Sequence, residues 1–476
     1  MPMTQDPMKQ KELTSRLMHI VGEDGVLVDP AEQDFYVNDW LGKAHGRTVA
    51  VVRPRTTGEV SAVMRLCHQT HTPVVPQGGN TGMSGGATPD MSGAQVVLSL
   101  NRMKRIHEVD PINNTLTADA GVILADIQKA ARDVGRYFPL SLGAEGSCTI
   151  GGNLATNAGG TSVLRYGNTR ELTLGLEVVL PDGRIWNGLR GLRKDNTGYD
   201  LKDLFIGSEG SLGIITGVVL KLFAAPAGRV TAWIGAQQLD HVVSLLSHLQ
   251  STCGPRLSAF EMMSGASLAL VTQHLDAHVS PLEKVYPYYA LIELADTNMT
   301  GLQDMLQTAL STAIEDGLID DCVVAMSEAQ SLSMWKLREG ISLAQVKAGK
   351  AVKHDIALPI SSLAIFTKEA DQAVITSFPD LPIINFGHIG DGNLHYNVLL
   401  PINVSSDDYK TKTAVLNKRI HDLVAQFNGS ISAEHGVGTL RRDELRRYKS
   451  SVEMDLMISI KRAIDPNQIM NPGKLL

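Results

Sequence analysis

Two histidines, a glutamate–histidine pair and a set of glycine loops carry the chemistry open to this sequence. The histidines lie in Phe386-Gly387-His388-Ile389-Gly390-Asp391-Gly392-Asn393-Leu394-His395-Tyr396-Asn397. The pattern predicts a strand over 383–389, a four-residue turn Gly390–Asn393 and a return strand over 394–399. With that turn Ile389 pairs with Leu394, and His388 falls directly opposite His395. Cross-strand Cβ atoms lie about 5 Å apart, so both imidazoles could share one metal ion. His395 and Asn397 point to one face of the return strand, and Leu394, Tyr396 and Val398 to the other. Alone, the hairpin is equally consistent with two solvated histidines. The segment Ala433-Glu434-His435-Gly436-Val437-Gly438 adds a carboxylate and another imidazole. Together these make a two-histidine, one-glutamate set for a divalent ion such as Zn²⁺ or Mn²⁺, with coordination positions left for substrate.

The glycine loops suggest a phosphate-bearing ligand. Pro76-Gln77-Gly78-Gly79-Asn80-Thr81-Gly82 follows a short apolar strand. Such turns expose successive backbone N–H groups that bind phosphate oxygens. Residues 147–160 (SCTIGGNLATNAGG) and 207–213 (GSEGSLG) offer the same chemistry. Any one of them could be a tight turn; three in one region argue for a ligand. Neither G-x-G-x-x-G nor G-x-x-x-x-G-K-[ST] occurs, which removes the Rossmann fingerprint and the P-loop.

These groups need a scaffold, and the chain is long enough to provide one. Its 476 residues suggest two to three domains at about 150 residues each. A net charge of −7 argues against a dedicated nucleic-acid binder. Four scattered cysteines, without a C-x-x-C pair, argue against a zinc ribbon, an iron–sulfur centre or a disulfide framework, and fit a reducing compartment. There is no apolar run of spanning length and no secretory pattern at the start, so a cytoplasmic location is expected. Of the 44 glycines, 24 fall between Gly78 and Gly217, alternating with strand-like runs at 48–52, 73–76, 95–100, 115–118, 174–180 and 214–222. Helices are expected after Thr57 and over 123–134. The core of the first domain thus runs over about 45–225. Ala-Ala-Pro-Ala-Gly at 224–228 marks a boundary, giving domains at 1–226 and 227–476. The second carries longer helical patterns, at 240–250, 298–316 and 411–427. Residues 465–476 are turn-rich but end apolar, so they are expected to dock.

The order P-x-G-G-N-T-G, T-I-G-G-N-x-A-T-N-A-G-G, R-Y-G-N-T-R-E and G-S-E-G-S-L-G-I-I-T resembles the flavin domain of the vanillyl-alcohol-oxidase (PCMH-type) FAD oxidoreductases. F-G-H-I-G-D-G-N-L-H-Y-N, I-S-A-E-H-G-V-G and N-P-G-K resemble their FAD-linked oxidase C-terminal domain, and the match is nearest to the FAD-dependent D-2-hydroxyacid dehydrogenases, notably the D-2-hydroxyglutarate and D-lactate branches. The resemblance implies an α+β fold: a two-part PCMH-type FAD-binding domain followed by an α+β substrate and cap domain. It implies that Pro76, Gln77, Gly78, Gly79, Asn80, Thr81, Gly82 and Met83 hold the FAD pyrophosphate. Ser141, Gly143, Ser147, Gly152, Asn153, Thr156, Asn157 and Gly159 would line the rest of the cofactor, together with Glu209, Gly210, Gly213, Ile214 and Ile215. Asn471 is expected near the isoalloxazine. The first loop has Asn80 and Thr81 where some relatives carry a flavin-linked histidine, so FAD is expected to bind noncovalently.

The same resemblance makes His388, His395 and Glu434 the metal ligands and His435 the catalytic base. In W-x-L-R-E, Arg338 and Ser342 are i,i+4 neighbours, and with Lys353 they match the spacing that grips a distal carboxylate in the D-2-hydroxyglutarate branch. Asn397 would orient the substrate hydroxyl. The expected reaction oxidises a D-2-hydroxy acid to the 2-oxo acid, with D-2-hydroxyglutarate first and D-lactate or glycolate, by dehydrogenase or oxidase chemistry, as alternatives. Electrons would leave to an external acceptor such as a quinone or an electron-transfer flavoprotein, with peripheral membrane association through it; relatives are often homodimers. A non-flavin metal hydrolase could use the same histidines and glutamate but gives the glycine loops no role.

Overall fold

The computed structural model describes residues 7–276 and 278–476. The chain forms two compact units. The first comprises residues 7–159, 168–224 and 434–476; the second comprises Gly160–Gly167 and Ala225–Ala433.

The first unit holds two larger sheets and a two-stranded one, Arg136–Tyr137 with Phe223–Ala224. In the four-stranded sheet the order is Val26–Leu27, Ala50–Val52, Val96–Ser99, Val74–Gln77. The last three strands run parallel, and the first is antiparallel to its neighbour. Helix Thr57–Thr70 joins two of the parallel strands; the Thr56 hydroxyl accepts from the Glu59 N–H, and the helix ends on left-handed His71. The other sheet is antiparallel, in the order Ile106–Asp110, Thr115–Asp119, Ile214–Lys221, Thr173–Val179, Ile185–Gly188. Six of these strands fall within two residues of the six apolar runs of the sequence, because buried strands need continuous apolar stretches; Val26–Leu27 and the partly exposed edge strands Ile106–Asp110 and Ile185–Gly188 match no run.

The end of the chain belongs to this unit, unlike in the sequence expectation of one domain over 227–476. Val74–Gln77 is an edge strand, and an edge leaves backbone groups unpaired. The tail satisfies them: Val74 N–H donates to the Ile469 carbonyl, and Asn471 N–H to the Val74 carbonyl, both at 2.8 Å. Ile469 and Met470 are buried, so residues 465–476 dock as expected.

In the second unit an antiparallel sheet has the order Asp321–Val324, Gly228–Ala236, Tyr288–Asp296, Leu257–Ser264, Ile383–Gly387, Asn393–Pro401, Gly349–Val352, with Asp355–Ala357 also pairing to Asn393–Pro401. Helices Gly265–His274 and Glu328–Ala348 cover one face through Leu268, Val271, Leu337 and Ile341, packed with Met263, Leu291, Phe386 and Leu399. Gly160–Gly167, expected in the first domain, packs here instead. Arg165 Nη1 donates to the Ala295 carbonyl, and Leu164 lies against Gly390, where a Cβ would approach it to 2.9 Å.

Cys67, Cys148 and Cys253 are buried thiols, and Cys322 is half-buried. Burial pushes the Cys67 thiol up to about 12 and raises the others. A maleimide at neutral pH is therefore expected to leave Cys67, Cys148 and Cys253 unlabelled in native protein and to label all four after denaturation, read by intact mass.

Candidate functional site

The three glycine loops, scattered in sequence, meet in the first unit. A Cβ on Gly79 would lie 2.2 Å from the Ser147 carbonyl oxygen, and one on Gly78 2.4 Å from Thr149 Oγ1. The first loop thus packs backbone to backbone on the second. Loop 207–213 docks on the second through Gly207 N–H to the Leu154 carbonyl (2.9 Å) and Glu209 N–H to the Ala155 carbonyl (2.8 Å). Gly210 lies against Pro76, where a Cβ would stand 3.0 Å from the proline ring, and this contact closes the ring of loops.

Several residues expected at the cofactor brace this cradle with their side chains. Gln77 Nε2 donates to the Tyr36 and Ala87 carbonyls. Asn80, left-handed at φ 55°, donates to the Phe35 and Asn38 carbonyls. The Asn157 amide oxygen accepts from the Arg170 N–H, Thr156 Oγ1 donates to the Gly152 carbonyl, and Ser141 Oγ donates to Glu145. Glu209 has a role the sequence did not announce: Oε1 accepts from Val437 N–H and Oε2 from Gly438 N–H, each at 2.7 Å. It clamps the backbone immediately after Glu434 and His435. Burial raises the Glu209 carboxyl, partly offset by those two N–H groups. His435 is tied in the same unit through its carbonyl, which accepts from Ser84 Oγ at 2.9 Å.

The cradle fits a nucleotide cofactor. Gly82, Gly143 and Gly146 have open space where a Cβ would stand. Asn471 Nδ2 donates to the Gly86 and Glu209 carbonyls, while its buried Oδ1 has no partner among the described residues and could accept from a ligand.

The second unit brings His388, His395, Lys353 and Asn397 to one face of its sheet, with Arg338 on a helix that covers that face. The register corrects the hairpin: Phe386, not His388, pairs with His395. The first strand ends at Gly387, a 3₁₀ turn spans Ile389–Asp391, and Gly392 closes it at φ 84°. Asn393 joins the return strand, so the connection is longer than four residues. A slip of two residues preserves side-chain parity, whereas a slip of one would invert it. His388 therefore still meets His395, with ring centroids 5.5 Å apart and planes at 81°. Their ligand nitrogens lie within 4.8 Å of one another, which fits a shared divalent ion.

Each imidazole has a carboxylate behind it. Glu261 Oε1 bonds His388 Nδ1 at 2.7 Å. Asp355 lies opposite His395 in register, with Oδ1 at 3.6 Å from its Nδ1, and Asn393 Nδ2 fixes Asp355 at 3.0 Å. Arg338 is buried on helix Glu328–Ala348, donates through Nε to Glu261 Oε2 at 2.8 Å and stacks 4.8 Å over the Phe386 ring. Burial pushes the Glu261 carboxyl up, but His388 and Arg338 beside it prevail and hold it below its ordinary range. Asn397 is 4% exposed; Nδ2 donates to Gln345 and Oδ1 accepts from the His354 N–H. Pairings Val352↔Val398 and Asp355↔His395 place Lys353 opposite Asn397. Ser342, expected beside Arg338, is exposed. Ala433 N–H donates to the Asp355 carbonyl at 3.1 Å, and Glu434 and His435 follow it in sequence.

Glu261 and Asp355 were missed in the sequence. Glu261 left a signal: it is the one charged residue in the strand Leu257–Ser264, where an unpaired carboxylate would be costly.

The family description "FAD binding domain" matches residues 48–188, and "FAD linked oxidases, C-terminal domain" matches 225–475. A probable mitochondrial D-2-hydroxyglutarate dehydrogenase of Oryza sativa subsp. indica is 39% identical over 460 residues, 96% of this chain and 80% of that one. The D-2-hydroxyglutarate dehydrogenase of Stutzerimonas stutzeri is 37% identical over 468 residues, 98% and 99% of the two chains. A putative mitochondrial D-lactate dehydrogenase of Schizosaccharomyces pombe is 38% identical over 471 residues, 96% and 88%. Among solved structures, p-cresol methylhydroxylase with substrate bound superposes with a TM-score of 0.78 at 16% identity, over 99% of this chain and 97% of that one. Alkyldihydroxyacetonephosphate synthase gives 0.75 at 18% identity, over 97% and 84%. Both share the two-domain α+β fold.

Proposed function

The chain belongs to the FAD-linked oxidases and is an FAD-dependent D-2-hydroxyacid dehydrogenase, and on that premise we propose that it oxidises D-2-hydroxyglutarate to the 2-oxo acid with the help of a divalent ion, Zn²⁺ or Mn²⁺. The carrying observation is the sheet face of the second unit that carries His388, His395, Lys353 and Asn397, with Arg338 laid over it from helix Glu328–Ala348. Noncovalent FAD supplies the hydride acceptor, and the divalent ion supplies the Lewis acidity that lowers the pKa of the 2-hydroxyl. His388, His395 and Glu434 hold the ion. His435 takes the hydroxyl proton as general base. Arg338 and Lys353 bind the distal carboxylate, and Asn397 orients the reacting end. Pro76–Met83, Ser141, Gly143, Ser147, Gly152, Asn153, Thr156, Asn157, Gly159, Glu209, Gly210, Gly213, Ile214, Ile215 and Asn471 hold the flavin. A quinone or an electron-transfer flavoprotein takes the electrons from a cytoplasmic enzyme, dimeric in this proposal. No helix among the described residues is long and apolar enough to cross a membrane.

One observation favours D-lactate as the second reading. Arg338 bonds Glu261 through both Nε and Nη2, and Ser342 is exposed, which leaves fewer groups for a distal carboxylate. Anaerobic mixing of the yellow protein with D-2-hydroxyglutarate, D-lactate, D-malate and glycolate decides. D-2-hydroxyglutarate is expected to bleach the flavin with the highest second-order rate constant. Replacing Lys353 by Met is expected to lower that constant by about 10- to 100-fold, the loss of a charge-assisted contact of about 1.5–3 kcal/mol, with little change for D-lactate. A parent rate constant for D-lactate equal to or above that for D-2-hydroxyglutarate would reverse the assignment.

A further inference from the structure

The geometry points to Glu261 as a positioning residue that holds two functional groups at once: it fixes the His388 imidazole through one carboxylate oxygen and the Arg338 guanidinium through the other. This inference rests on the proposed roles of His388 as metal ligand and Arg338 as carboxylate binder, and deepens them.

Glu261 has no exposed surface. A buried ion pair contributes little net stability compared with well-packed apolar residues, yet losing one partner is costly. Stability alone is therefore a weak reason for a carboxylate in an otherwise uncharged strand. The hydrogen bonds offer a better one. Arg338 Nε and Nη2 approach Oε2 at 2.8 and 2.7 Å, so the guanidinium edge uses a single oxygen. The other oxygen, Oε1, takes His388 Nδ1 at 2.7 Å. Pairings Met262↔Gly387 and Met263↔Phe386 carry the register to 261 opposite 388, so the strand pairing itself sets that contact. An ionised carboxylate on Nδ1 selects the neutral tautomer with its proton there, which makes Nε2 the ligating nitrogen. Phe386 beneath the guanidinium at 4.8 Å fixes its plane. One carboxylate thereby sets the distance between the reacting end and the distal end of a bound dicarboxylate.

The test uses the flavin-loaded protein stripped of metal, with Mn²⁺ binding read by electron paramagnetic resonance, and KM for D-2-hydroxyglutarate against D-lactate after reloading. In Glu261→Gln one oxygen acceptor becomes an NH₂ donor facing another donor. Mn²⁺ is expected to bind about 10- to 100-fold more weakly, and KM for D-2-hydroxyglutarate to rise about 10-fold relative to KM for D-lactate. A folded variant with parental flavin content and both quantities within about twofold of the parent overturns the inference; a change in only one overturns the shared role. A parent that binds no divalent ion sinks the metal reading itself, and this inference with it. Should Glu261→Gln not fold, ¹⁵N imidazole spectra of the metal-stripped parent decide, with the His388 signal identified by its loss in His388→Asn. The Nδ1–H tautomer is expected, and the Nε2–H tautomer overturns the inference.

Discussion

Replacing His435 by Asn is expected to slow anaerobic flavin reduction by about 10²- to 10⁴-fold, roughly 3–5 kcal/mol in the barrier, while the protein still purifies yellow. The size follows from the role. Proton removal from an alcohol is unfavourable without a base, and an amide cannot accept that proton. Retention of flavin follows from how the residue is held. His435 is anchored through its backbone carbonyl by Ser84, and the following backbone by both Glu209 oxygens, so the substitution leaves the clamp intact. Stopped-flow absorbance at the flavin band measures the rate, and the bound flavin-to-protein ratio checks the fold. Near-parental single-turnover reduction would remove His435 from the mechanism.

The second large effect is expected at Gly79. An added Cβ would stand 2.2 Å from the Ser147 carbonyl oxygen and 3.0 Å from Cys148 Cα, and neither is the end of a flexible side chain. One of the loops must move, and overpacking of this kind costs about 3 kcal/mol. Gly79→Ala should therefore lower the melting temperature by roughly 6–10 °C and lose most of its flavin on a sizing column. Gly82→Ala is the control. Its Cβ meets nothing within 4 Å, so the flavin-free protein should melt as the parent does while flavin affinity falls. Equal melting of the parent and Gly79→Ala would show that the loops do not pack as described.

The two substitutions separate the uses of glycine that the sequence could not distinguish. Gly79 is needed because backbone meets backbone, Gly78 because the Thr149 hydroxyl stands close, and Gly82, Gly143 and Gly146 stand at open space. The spacing of glycines among apolar runs was visible in one dimension; which loop a given glycine touches depends on residues about 70 positions away.

What the sequence determined by itself was local or periodic. It set six strands of the first unit, because buried strands need unbroken apolar runs. It put Arg338 in a helical pattern, which helix Glu328–Ala348 matches, and put His388, His395 and Asn397 on one face, because parity survives a register slip of two. The motifs themselves carried the flavin family. Tertiary structure alone decided the rest. The return of residues 434–476 to the first unit depends on an edge strand that needs backbone partners. The hairpin register depends on a 3₁₀ turn closed at Gly392. Glu261 and Asp355 became visible only when strands far apart in sequence were laid side by side, since a buried carboxylate is defined by the cations and donors around it, and those come from elsewhere in the chain.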